Sequence, residues 1–262
     1  MKKKFFIIIF ALLFVSSNIL GAKITRIILA SDNNPNYLEF WPIVSKVWSK
    51  LMDARPTLAF IGPADTEIDQ TYGDIIYIRP IEGLSTAYQA QTIRLLLPCL
   101  FQDDFCLISD LDMIPLQADY FNKSIAHLSQ KKFVVYRNAA YGIRATQYPM
   151  CYNAALGKTF YDIFKVNTIE QMQQLMIEWH DTGHGWFTDE KMLYKYLNEW
   201  PLFGRDCVLL GHTVLPRIDR STNMAFSIKG LRSHRYVDIH SPRPYTKYKY
   251  LIDKILTLAG LV

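Results

Sequence analysis

The stretch FCLISDLDMIPL, residues 105–116, delivers two carboxylates, Asp110 and Asp112, from the end of an apolar run, Phe105 to Ile108. Apolar residues resume at once with Met113, Ile114, Pro115 and Leu116. Two like charges so close to a buried strand repel each other and lose hydration, so they require a cation or a shared proton nearby. What neutralises them decides what the chain can do.

Strand and helix signals alternate upstream of the pair. Ile24–Ala30, Leu58–Ile61 and Ile75–Ile78 are short apolar runs closed by turn residues, and Phe105–Ile108 is a fourth. Between them, Leu38, Trp41, Val44, Val47, Trp48 and Leu51 recur at helical spacing. Ser85–Leu100 reads as a helix capped by Ser85 or Thr86. That alternation predicts an α/β fold: a mostly parallel sheet flanked by helices. Ligands of such sheets bind beyond the carboxyl ends of the strands. Both Ser31-Asp32-Asn33 and Asp110-Leu111-Asp112 stand at such ends.

Downstream, Lys132–Tyr136 predicts a further strand and Phe160–Leu175 a helix. His180–Trp186 is a glycine-bearing loop. Thr188 is placed to cap a helix whose first turn holds Asp189 and Glu190, as a helix dipole favours. Tyr248–Leu258 closes the chain with an apolar stripe. Repeats and linkers are absent from the sequence, so residues 23–262 read as a single domain.

Half of the 262 residues are hydrophobic, which marks a globular chain. Without Lys2, Lys3 and Lys4 the 29 basic residues fall to 26 against 24 acidic ones, a balance that makes no case for nucleic acid as a partner. Residues 1–22 read as a targeting segment: a basic start, an unbroken apolar run from Phe5 to Val15, then small and polar residues ending in Gly21-Ala22. Two forms fit it, a cleaved signal peptide and a retained signal-anchor, and only the second brings a membrane contact. Cys99, Cys106, Cys151 and Cys207 show no metal-binding spacing.

A carboxylate pair at a strand end suits a hard divalent cation, Mn²⁺ or Mg²⁺, which keeps positions open for phosphate oxygens. In this setting Asp110-Leu111-Asp112 resembles the DxD motif of GT-A glycosyltransferases, a Rossmann-like family with a mixed, mostly parallel sheet. The resemblance extends from Lys23 to about Tyr245 and implies transfer of a sugar from a nucleotide-sugar donor to a glycan, protein or lipid acceptor. By position it assigns Ala30, Ser31 and Asn33 to the donor nucleoside, and Arg94 of AYQAQTIRLLLPCL to the donor-facing helix. Asp110 and Asp112 would bind donor and metal, with His240 before Arg243-Pro244-Tyr245 as a third metal ligand. Trp186-Phe187-Thr188-Asp189-Glu190 resembles the family's later acidic segment, with Asp189 and Glu190 as catalytic candidates and Asp189 as the base of an inverting enzyme. Nucleotide-sugars are found in the cytosol and in the ER and Golgi lumen. With the leader, this implies a luminal enzyme, secreted or membrane-anchored, or one exported towards a host. Two alternatives share the Asp-x-Asp pair: a phosphatase of the haloacid-dehalogenase class, and a non-catalytic, transferase-like sugar-binding module.

Overall fold

The computed structural model describes residues 21–142, 144–211 and 216–262; the apolar leader lies outside them, except for Gly21 and Ala22. In chain order the strands are β1 (Arg26–Asp32), β2 (Arg55–Ile61), β3 (Asp74–Ile78), β4 (Phe105–Ile108) and β5 (Met113–Pro115). They continue with β6 (Phe133–Val135), β7 (Asn153–Leu156), β8 (Cys207–Leu209), β9 (Ile218–Asp219) and β10 (Asp238–His240). Seven of them form one sheet in the order β3-β2-β1-β4-β7-β6-β8. The pairs β3–β2, β2–β1, β1–β4 and β6–β8 are parallel, while β7 runs antiparallel to both β4 and β6. The mixed, mostly parallel α/β sheet expected from the sequence is present.

Alternation along each strand divides the core. Ile27 and Leu29 of β1 point to one face with Leu58, Phe60 and Leu107. The helix Trp41–Met52 and the C-terminal helix Tyr245–Leu258 cover that side through Trp48, Val44, Ile252 and Ile255. Ile28, Ala59, Ile61, Cys106 and Ile108 point to the other face, under the helices Thr86–Leu96, Gly157–Phe164, Ile169–His180 and Thr188–Glu199. A period of two with both faces apolar is what a strand covered by helices on each side requires.

Several local expectations shift. β1 runs on to Asp32, past the expected end at Ala30. The helix expected over 160–175 is two, Gly157–Phe164 and Ile169–His180, because Lys165 turns left-handed (φ 58°) and Thr168 caps the second. Thr188 is the first helical residue and not the cap; its hydroxyl donates to Gly185 O at 2.8 Å. Residues 97–100 tighten into a 3₁₀ turn.

The residues after the aspartates form part of a second, three-stranded sheet, β5-β10-β9. Its strands are two or three residues long. A buried ion pair ties it to the main sheet. Arg217 donates from Nη2 to Asp238 Oδ2 at 2.7 Å and from Nε to Oδ1 at 3.0 Å, and Tyr152 OH donates to the same carboxylate at 2.5 Å. Asp238 and Tyr152 are fully buried. Asp238→Ala strands the Arg217 charge and is expected to cost about 3–5 kcal/mol in urea unfolding, whereas Arg217→Met with Asp238→Leu recovers most of it. Equal losses for the single and double variants would show that the ion pair does not hold the second sheet.

Candidate functional site

The helix leaving β1 towards β2, Trp41–Met52, and the helix leading into β4, Thr86–Leu96, lie on opposite faces of the sheet. β2 pairs on one edge of β1 and β4 on the other, so the gap between β1 and β4 is a topological switch point. β4 pairs with β1 only as far as Ile28↔Ile108, while β1 continues to Asp32 beside β2. β1 therefore overhangs β4 by four residues, and the chain leaving β4 turns through Asp110-Leu111-Asp112 into the space beside them. Leu111 is buried in the core, fixing the turn between the two aspartates.

A cleft of about 510 Å³ opens at this point. Ala30, Ser31 and Asp32 border it at the end of β1, and Asp110 and Asp112 lie at its floor. Ala87, Ala90, Gln91 and Arg94 of the helix Thr86–Leu96 line one wall; that spacing is a single helical stripe, and its alanines leave room for a ligand. Arg137 and Tyr141 after β6, with Trp186 and Glu190, also line the cleft. The second sheet closes the cleft with Arg217, Asp219, Arg220 and His240.

Arginines face the two aspartates. Arg94 contacts Asp110 through Nη1 and Asp189 through Nη2 at 3.0 Å. Burial alone would lower its pKa, but Asp110 and Asp189 outweigh that and hold it above its ordinary value. Asp112 accepts from Arg220 Nη1 at 2.6 Å, and Arg243 Nε lies 3.6 Å away. Burial pushes the Asp112 carboxyl up, and the neighbouring charge of Asp110 adds to it.

Asp189 has no exposed surface and lies behind the cleft wall. It serves as an anchor: Arg94 and Gln91 both donate to it, Gln91 at 3.1 Å, and Gln91 also holds Trp186 O. Burial lifts its carboxyl to about 6, against the opposing pull of Arg94. Asp189, expected to contact sugar or acceptor, does not border the cleft in this arrangement. Glu190 faces the cleft instead, accepting from Tyr141 OH and Gln147 Nε2, each at 2.8 Å. Burial raises it to about 7, opposed by the Tyr141 hydrogen bond and assisted by Asp189 and Asp110. Asn33 is exposed and does not border the cleft, whereas Asp32 does, accepting from Thr86 Oγ1 at 2.7 Å.

No protein-family model matches the chain, and neither does any curated protein. Solved structures do match. A galactosyltransferase, LgtC, in complex with donor and acceptor sugar analogues, superposes with a TM-score of 0.50 at 14% identity, over 90% of this chain and 95% of its own. The glycosyltransferase GlyE of Streptococcus pneumoniae TIGR4 gives 0.50 at 12% identity, over 91% of this chain, which spans 63% of GlyE. A glycosyltransferase involved in glycosylation of the major capsid of PBCV-1 gives 0.50 at 9% identity, over 87% and 99%. The chain has the GT-A fold. The haloacid-dehalogenase alternative finds no support in it.

Within the GT-A sheet, Asp110, Asp112 and His240 border one cleft, because His240 pairs with Met113 across β10 and β5 and Ser241 N donates to Asp112 O at 2.9 Å. Among the described residues no three His, Cys, Asp or Glu side chains converge at metal-holding distances. The donor set still suits a divalent cation by chemistry. Asp110 Oδ2 and Asp112 Oδ1 have no hydrogen-bond partner among the described residues, since the arginines take the other oxygen of each. His240 Nδ1 lies 3.1 Å from Asp219 Oδ2, the carboxylate–histidine arrangement that orients a ligating imidazole. Asp219 and Arg220 escaped sequence reading: they sit in a two-residue strand and the turn after it, too short to show a period.

Glu190 makes stability pH-dependent with a definite sign. Burial raises its carboxyl from an ordinary 4.5 to about 7 in the folded protein, so its contribution is complete below about 4.5 and lost as pH rises through 7. Glu190→Gln is therefore expected to gain Tm relative to the unsubstituted chain progressively between pH 4.5 and 7.5. A constant difference across that range would contradict the burial of this carboxyl.

Proposed function

We propose that the chain is a glycosyltransferase that moves a sugar from a nucleoside-diphosphate donor to an acceptor hydroxyl. A divalent cation, Mn²⁺ or Mg²⁺, would be held by Asp110 and Asp112, with His240 as the third ligand. The observation that carries this reading is the carboxylate pair at the end of β4, inside a cleft at the switch point of a GT-A sheet. When bound, such a cation offsets the charge of a diphosphate and favours its departure.

The chain's own residues divide the remaining work. Ala30, Ser31 and Asp32 at the end of β1 seat the nucleoside side of the donor, and Ser31 is fixed by donating to Asp32 O at 2.8 Å. Arg94 holds Asp110 in place from its anchor on Asp189. In the transfer, the bond between the sugar's anomeric carbon and the diphosphate oxygen breaks, and the acceptor oxygen bonds to that carbon and loses its proton. Glu190, on the cleft wall with a carboxyl near 7, is the group suited to receive that proton. Asp189, walled off and bound to Arg94, is not. Read as a targeting segment, residues 1–22 favour a reaction in a secretory lumen or beyond the cell.

The full chain, incubated with Mn²⁺ and a panel of nucleotide-sugars, should release nucleoside diphosphate from at least one donor, with loss on chelation. Asp110→Ala and Asp112→Ala should each lower that release by roughly 100-fold or more while unfolding stays cooperative. Glu190→Gln should remove an ionisation near pH 7 from the rate profile. Full activity in either aspartate variant would defeat the metal reading, and no release from any donor would favour a sugar-binding module.

A further inference from the structure

A guanidinium stays charged at every physiological pH, and burying one without a carboxylate is costly. Every other arginine among the described residues either stands within 4.0 Å of a carboxylate or is exposed. Arg137 is neither. Its side chain borders the cleft, and its Nη1 is buried with no hydrogen-bond partner. Residues 1–20, 143 and 212–215, which lie outside the described structure, contain no Asp or Glu that could pair with it.

Position says which part of a substrate this charge would meet. Arg137 follows β6, which lies two strands from β4 in the order β4-β7-β6, on the side away from β1. Two strand spacings are roughly 10 Å, so the nucleoside end of the cleft at β1 and the Arg137 end lie on opposite sides of Asp110 and Asp112. Tyr141, which follows the same strand and donates to Glu190, lines the same cleft, as does Trp186, which is 60% exposed. The other two arginines on this side already have partners, Arg217 in Asp238 and Arg220 in Asp112. One uncompensated positive charge matches one carboxylate better than a phosphate monoester, which carries nearly two negative charges.

We infer that Arg137 recognises the carboxylate of an anionic sugar, carried either by the sugar being transferred or by the acceptor. The inference rests on the glycosyl-transfer reading above and specifies its substrate class. A carboxylate there accepts from the unpartnered Nη1 and supplies the missing negative charge. A neutral sugar leaves the guanidinium uncompensated, so the site selects against it.

The test compares donors that differ only in a hydroxymethyl or a carboxylate at C5, such as UDP-glucose and UDP-glucuronate, and acceptor glycosides that differ in the same way. In one of the two arms the full chain should prefer the carboxylate form by roughly tenfold or more in kcat/KM. Arg137→Gln should bring that ratio close to one, and Arg137→Lys should keep part of it. Inhibition by free UDP should stay unchanged in both variants. A preference in the donor arm assigns the carboxylate to the transferred sugar; in the acceptor arm, to the acceptor. The inference is overturned if neither arm shows a preference, if the preference survives Arg137→Gln, or if UDP inhibition weakens as much as turnover. Should no donor turn over, glycosyl transfer fails separately, and thermal titration with free glucuronate against glucose reads the anion site directly. Stabilisation by glucuronate alone, lost in Arg137→Gln, supports the inference; equal responses overturn it.

Discussion

Arg94 is the residue on which the candidate site depends. It stands between Asp110, at the end of a central strand, and Asp189, at the start of a helix remote in sequence. Each of those carboxylates is unfavourable where it lies, one beside a second aspartate and the other with no exposed surface. A single guanidinium compensates both, so the helix Thr86–Leu96, the helix Thr188–Glu199 and the β4 turn are held in one arrangement. Gln91, one turn earlier on the same helix, reinforces it by holding Asp189 and the backbone of Trp186.

Opposite this wall, the second sheet does comparable work with different residues. Arg217 and Asp238 lock β9 and β10 against Tyr152, which carries Arg220 to Asp112 and His240 to the rim of the cleft. The two aspartates of the β4 turn are therefore addressed from opposite sides, Asp110 by the helical layer and Asp112 by the small sheet. This leaves one oxygen of each without a partner among the described residues. The aspartates have arginine partners and Arg137 has no carboxylate among the described residues, so the cleft is chemically asymmetric.

Much of this was legible in the chain. Strand and helix alternated in the first 110 residues because helical period and apolar runs survive wherever an element is long enough to repeat, and Asp110 and Asp112 stood out as charges inside an apolar context. Arg94 was legible by its place on the helix before that strand. Asp189 was singled out through the Trp186–Glu190 segment, whose resemblance does not say which way the helix turns its carboxylates: Asp189 lies behind the wall and Glu190 on it. Asn33 was chosen over Asp32 for the same reason: an overhang of four residues decides which side chain of a loop meets the cleft.

By itself the sequence determined the sheet class, the positions of its early strands along the chain and the carboxylate pair at a strand end, since these follow from local periodicity and from the cost of charge beside apolar residues. Only the tertiary structure decided that arginines from residues 94 and 220 meet those carboxylates, that Asp189 lies behind the wall while Glu190 forms it, and that Arg137 is left without a partner. Those meetings join residues from 16 apart, Arg94 with Asp110, to 108 apart, Arg220 with Asp112. Pairing across such distances depends on how layers pack and where strands stop, which no local pattern encodes.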